Sequence, residues 1–175
     1  RPPAFFKSLS GQLERVKAGK PFLVFGDGRL TACKPISDGD LARFIVGCIA
    51  DPQRHNRILP IGGPGPALTP LDQGEALFAA VGRERRLRHV PVGMIDAIIG
   101  GLSAAGLISA RAREKAELAR IGRYYATESM LLLDPETGHY TAEKTPEFGS
   151  ETLAAFYRAV AAGRTIVDRG DHAVF

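Results

Sequence analysis

Residues 22–45, FLVFGDGRLTACKPISDGDLARFI, confine the chain to few architectures. Residues 22–25 are apolar and suit a short strand, and Gly26-Asp27-Gly28 turns it. Pro35 biases Lys34 toward extended backbone, so residues 34–36 read as a second extended piece. Ser37 then supplies a helix cap. Asp40, three residues on, is placed to return a hydrogen bond to that cap and to face the positive helix end. Leu41, Phe44, Ile45, Cys48 and Ile49 form the expected apolar face, and Asp51-Pro52 stops the helix.

The same alternation recurs elsewhere. Residues 4–18 predict a helix with Phe5, Leu9, Leu13 and Val16 at helical spacing, closed by Gly19 and Pro21. Residues 57–61 predict a strand before Gly62-Gly63-Pro64-Gly65. Thr69-Pro70 opens a helix with Asp72 at the capping-box position, Leu71, Gly74, Phe78 and Val81 on one side, and Gly82 at its end. A basic run over 83–88 leads to a strand over 89–92. Residues 94–107 are apolar nearly all round, and residues 109–122 alternate in charge as a half-exposed helix does. Residues 130–133 predict a strand turned by 134–138. Residues 150–162 predict a last amphipathic helix with Leu153, Phe156, Tyr157 and Val160 inward. Strands alternating with helices predict an α/β fold.

At 175 residues the chain is long enough for one domain with a core. It opens on Arg1-Pro2-Pro3 without a signal-peptide pattern, which reads as a piece of a longer protein. A formal charge of +4, with Lys and Arg dispersed, suits anionic ligands but does not mark a nucleic-acid binder. Two cysteines, Cys33 and Cys48, and four separated histidines, His55, His89, His139 and His172, show no metal-ligand spacing. Both thiols read as buried and unreactive, in a reducing compartment. His89 is the least ordinary of the histidines, between a basic and an apolar stretch. The Gly62–Gly65 cluster sits where a phosphate loop would, but it is not G-x-G-x-x-G and Pro64 lacks an N–H, so a tight turn is the better reading. Tyr124-Tyr125 reads as packing more readily than as a catalytic pair. Residues 90–108 reach the lower length of a membrane span, yet Pro91, Asp96 and four glycines argue for a buried or cleft-lining helix. Docking on a membrane surface or on a flat apolar ligand is the sharper alternative there. Lys7, beside Phe5 and Phe6, suits a solvated lysine and a ligand contact equally.

Longer strings carry more. RPPAFFKSLSGQLERVKAGKPFLVFGDGRLTACKPIS, LPIGGPGPALTPLDQGEALF, IGRYYATESMLLLDPETGHY and the final GDHAVF resemble the divinyl chlorophyllide 8-vinyl reductases, NADPH-dependent atypical (NmrA-like) short-chain dehydrogenases. The resemblance runs from Arg1 to Phe175 and is similar to the C-terminal half of such an enzyme. It implies the C-terminal part of an extended short-chain dehydrogenase with a Rossmann-like fold and a small α/β substrate domain. Residues 1–175 would then hold the last edge of the cofactor domain plus the substrate domain. The family's glycine-rich dinucleotide loop and Tyr-x-x-x-Lys region have no counterpart here, since no Lys lies four residues after Tyr124 or Tyr125. Catalytic residues are therefore left unassigned.

What the resemblance implies for function is reduction of the 8-vinyl group of divinyl chlorophyllide or protochlorophyllide, a magnesium tetrapyrrole, to ethyl. Hydride would come from NADPH, in chlorophyll or bacteriochlorophyll synthesis. Superfamily analogy sets Pro2, Pro3 and Phe5 near the nicotinamide. The substrate needs a broad apolar wall and a cation for its propionate. Phe6 and Met94 are candidates for the first, and Lys7, Arg29 and Lys34 for the second. Neither a protein-bound metal nor nucleic acid is expected. The expected setting is the cytoplasm of a photosynthetic bacterium or a plastid, with peripheral membrane contact. The rival readings are a non-catalytic NADPH-binding sensor or assembly factor, and a fragment inactive by itself. Half of a shared sheet would expose an apolar edge and lower solubility.

Overall fold

A computed structural model describes residues 4–167. Two short helices, α1 (Phe6–Leu9) and α2 (Leu13–Lys17), precede strand β1 (Phe22–Phe25). Helix α3 (Asp38–Ile49) and a 3-10 turn (Pro52–Arg54) follow, then α4 (Pro70–Val81) and β2 (Leu87–Val90). Helices α5 (Val92–Ala105) and α6 (Ala110–Thr127) form a hairpin. Strands β3 (Leu132–Leu133) and β4 (Tyr140–Thr141) pair across a turn, and α7 (Leu153–Ala161) comes last.

The described residues are mixed α/β with two small sheets. β1 and β2 run parallel in register from Phe22 opposite Leu87 to Phe25 opposite Val90, while β3 and β4 are antiparallel. Among the described residues the parallel order stops at two strands, so a Rossmann-like sheet is not on view. The Gln12 amide meets the peptide of Leu23 in β1, accepting from its N–H at 2.6 Å and donating to its carbonyl at 2.8 Å. This side chain imitates a neighbouring strand and covers main-chain groups that a strand edge would leave bare.

One core gathers Phe6 of α1, Leu13 and Val16 of α2, Phe22 and Val24 of β1, Leu77 and Phe78 of α4, and Leu153, Tyr157 and Val160 of α7. Helix α4 packs closely on β1 at Gly74, where a Cβ would sit 3.1 Å from the Phe22 ring and the ring would have to shift by a few tenths of an ångström. Helix α4 carries the predicted capping box. Thr69 Oγ1 accepts from the Asp72 N–H, and the Asp72 carboxylate accepts from the Thr69 N–H at 2.8 Å. Gly82 closes it in the left-handed conformation.

Three expectations change. The helix over 4–18 breaks after Leu9, because Ser10 Oγ donates to the Lys7 carbonyl at 2.6 Å and Tyr157 donates to the Leu9 carbonyl at 2.8 Å. Those carbonyls are therefore engaged by side chains at the interruption. The strand over 57–61 does not form. Its stretch is irregular, and Gly62 makes a single parallel bridge to Glu147 instead. The apolar face of α3 is only partly covered: Phe44 meets the Phe148 ring edge-on at 5.3 Å, but Ile45 and Ile49 are exposed.

Candidate functional site

Residues 31–37 form a spine to which separate parts of the chain attach. The Met130 N–H donates to the Ala32 carbonyl at 2.9 Å, and Cys33 exchanges backbone hydrogen bonds with Leu68 at 3.1 and 2.8 Å. The Gly63 N–H donates to the Lys34 carbonyl at 3.0 Å, and the Ile36 N–H donates to the Ala4 carbonyl at 2.9 Å. This explains the compressed opening stretch: β1 delivers a spine that must be extended to collect these partners, and Ser37 then starts α3 at once. Gly63 is required by the same geometry, since a Cβ there would lie 1.9 Å from the Pro35 carbonyl oxygen.

Of the predicted cations, Lys34 lies on the spine. The Lys34 side chain is buried at 7% exposure, and its ammonium donates to Glu147 Oε1 at 2.5 Å. Glu147 also accepts from the Gly65 N–H at 3.2 Å. Lys34 first, then Gly65, holds the Glu147 carboxyl below the usual carboxylate range. Lys7 lies at 3.2 Å from Asp38 and its ammonium sits 5.9 Å from the Phe5 ring centre. Phe5 bridges Ile36, so Phe5, Lys7, Asp38 and the Ile36 end of the spine share one neighbourhood, while the Lys34 side chain goes to Glu147. Phe6, by contrast, turns into the core, where its ring meets Phe156 at 5.5 Å. Arg29 is exposed on the turn after β1, its N–H bonded to Asp27 Oδ1 at 2.8 Å, and it forms no ion pair among the described residues. Met94 is exposed on α5. Pro2 and Pro3 lie outside the described residues.

The residue that sequence reasoning misplaced is Asp40. Ser37 Oγ does cap α3 by accepting from the Asp40 N–H at 2.9 Å. The Asp40 carboxylate does not return to the cap. It is fully buried and accepts from the Ser150 and Glu151 N–H groups at 3.2 and 2.9 Å, with the Arg43 guanidinium on its other oxygen. Burial alone would raise this carboxyl, but the Glu151 N–H, Arg43 and the Ser150 N–H outweigh it and hold it below the usual range. The fit is tight: Gly149, at φ +91°, would put a Cβ 2.0 Å from the Asp40 carboxyl carbon. Asp40 therefore staples α3 to the strap that also delivers Glu147 to Lys34.

Cys33 is buried, and burial pushes its thiol up to about 12. His89 Nδ1 lies 2.9 Å from the Gly26 carbonyl and ties β2 to the turn after β1. Tyr124 and Tyr125 are surface residues with rings edge-to-face at 6.0 Å. Among the described residues no group of three or more His, Cys, Asp or Glu side chains is placed to hold a metal. Two open recesses, of about 320 and 470 Å³, flank Arg83 and are lined by none of the sequence candidates. The glycine loop offers no diphosphate cradle, for Gly62 donates to Pro146, Gly63 to Lys34 and Gly65 to Glu147. That loop thus does not fit the phosphate end of a dinucleotide.

No protein-family model matches the chain. Among curated proteins it is 53% identical over its whole length to a chloroplastic divinyl chlorophyllide a 8-vinyl-reductase of Oryza sativa subsp. indica, covering 44% of that protein. It is 56% identical over 91% of its length to the protein of the same name from Arabidopsis thaliana, covering 38% of it. The Zea mays protein of that name is 52% identical over the whole chain, again with 44% covered. The chain spans less than half the length of these relatives. From end to end it is homologous to a segment of the divinyl chlorophyllide a 8-vinyl-reductases.

Proposed function

We propose that this chain is the substrate-holding part of a plastid reductase that converts the 8-vinyl group of divinyl chlorophyllide or protochlorophyllide to ethyl. The observation that carries the reading is identity of 52% or more, over 91–100% of the chain, to proteins of that name in four plants. The reaction adds a hydride to one vinyl carbon and a proton to the other. NADPH would supply that hydride and be oxidised to NADP⁺. The extended short-chain dehydrogenase reading places its phosphates on residues other than those described.

The chain's own work is to hold a flat, anionic ring. Phe5 and Lys7 stand together at the spine, an aromatic face beside a cation whose partner Asp38 is itself mostly exposed. A propionate can displace such a carboxylate at little cost, because an exposed ion pair is weak. Arg29 is open to the same use. Lys34 is a poorer propionate ligand: it would have to leave Glu147 in a buried setting, where losing one partner is expensive. Its suited role is to fix the Glu147 strap. The intact enzyme, assayed with divinyl chlorophyllide and NADPH, tests this directly. Lys7→Ala is expected to raise KM about tenfold with kcat little changed, the loss of one charge-assisted contact. Unchanged KM in both Lys7→Ala and Arg29→Ala would remove these residues from the substrate site. NADPH binding without any turnover would favour the sensor reading instead.

A further inference from the structure

Apart from Met94 as a candidate substrate wall, the reductase reading gives the α5–α6 hairpin no role. α5 is apolar along its length, yet none of its residues is buried, and Met94 and Ile98 are half exposed. The feature sharpens at the tip, where Leu107 and Ile108 are 84% and 92% exposed. This tip is built rather than slack. The N–H groups of Leu107 and Ile108 donate to the Ala104 and Ala105 carbonyls at 3.2 Å, and Arg113 donates to the Gly106 carbonyl at the same distance. Two large aliphatic side chains are thus held outward on an ordered turn, where water is the worst solvent for them.

The charges around the tip point to the occupant. Ser109 caps α6, and the first turns of that helix carry Arg111, Arg113 and Lys115 against Glu114, with no acid in the first turn. Cations are disfavoured at a helix N-terminus, so this placement works against the helix itself. Farther along, the charges are settled internally, Asp96 with Arg123 and Glu117 with Arg120. Exposed aliphatics beside Arg111 and Lys115, which form no ion pair among the described residues, match a bilayer with anionic headgroups, which takes the apolar tip and pairs the rim. A two-fold contact with a second copy centred on the tip would instead set Arg111, Arg113 and Lys115 against themselves. The hairpin does not cross: the fourteen residues of α5 span about 21 Å, against a hydrocarbon core of about 30 Å, and no described helix is long and apolar enough to do so.

We infer that the α5–α6 hairpin is a membrane-docking element that seats Leu107 and Ile108 in the interface of an anionic bilayer. This inference stands apart from the reductase reading, and its failure would leave that reading untouched. The test is sedimentation of the intact protein with vesicles of phosphatidylcholine, with and without phosphatidylglycerol. The protein is expected to sediment with the phosphatidylglycerol vesicles and to be released by salt. The double variant Leu107→Asp/Ile108→Asp is expected to lose at least about tenfold in partitioning, from the removal of two apolar anchors. Arg111→Gln/Lys115→Gln is expected to weaken binding to the anionic vesicles alone. Both pairs are at the surface, so circular dichroism and melting should match the parent and exclude misfolding as the cause. Failure of the parent to sediment, or equal sedimentation of the aspartate variant, overturns the inference. So does a concentration-dependent dimer that the aspartate variant dissolves while vesicle binding stays absent.

Discussion

Replacing Asp40 by Asn tests whether the helix start or the long-range staple explains that carboxylate. Asn keeps the shape and one acceptor oxygen. If that oxygen stays with the Ser150 and Glu151 N–H groups, the amide NH₂ faces the Arg43 guanidinium, donor against donor. One charge-assisted hydrogen bond is lost and two others become neutral, which amounts to about 2–4 kcal/mol at a fully buried position. In a chain of this size that lowers the melting temperature by about 5–15 °C. The pH dependence supplies the sharper check. The folded Asp40 carboxyl lies below its unfolded value, so its contribution is complete above the unfolded pKa and is lost as pH falls through the folded one. The gap between parent and Asp40→Asn should therefore be full at neutral pH and close as pH drops below about 4. Thermal melts of both proteins across that range read it out. A loss under about 0.5 kcal/mol, or a gap that is as wide in acid as at neutrality, would refute the staple, since a surface substitution gives no more than that.

Other expectations follow from single contacts. Gly149→Ala should cost about 3 kcal/mol in denaturant unfolding, from a positive φ and a Cβ 2.0 Å from the Asp40 carboxyl carbon, and should cost less in an Asp40→Ala background. Tyr157→Phe should cost about 1 kcal/mol or slightly more and leave the core intact, because only the bond to the Leu9 carbonyl is lost. Under a thiol reagent Cys48 should react first, while Cys33, buried with its thiol pushed up to about 12, should react only as the protein unfolds.

Local chemistry was legible and distant chemistry was not. Thr69, Pro70, Asp72 and Gly82 announce α4 because cap, box and stop all lie within a few residues of it. The turn at 134–138 was legible in the same way, with Gly138 at φ +69°, but the strand before it covers only Leu132–Leu133 and its partner β4 was not foreseen. Ser37 and Asp40 carry the same spacing as Thr69 and Asp72, yet the Asp40 carboxylate goes to backbone 110 and 111 residues away. Nothing within the spacing separates the two cases; the glycine at 149 that admits the contact is the available hint. The break in the first helix is hidden likewise, for the phenol at its end comes from Tyr157, 148 residues on. For the site, Lys7 and Lys34 could be picked as cations, but their partners Asp38 and Glu147 emerge only from the fold. The two pairings differ in burial: Lys34 meets Glu147 from a buried position, whereas Lys7 meets an Asp38 that is mostly exposed.

The most direct test of the central claim is chromatography of the pigment after the intact protein has been incubated with divinyl chlorophyllide and NADPH. The account predicts a product that elutes as the monovinyl form, with one NADPH consumed per vinyl group reduced. Recovery of unchanged divinyl pigment from a protein that still binds NADPH would contradict it.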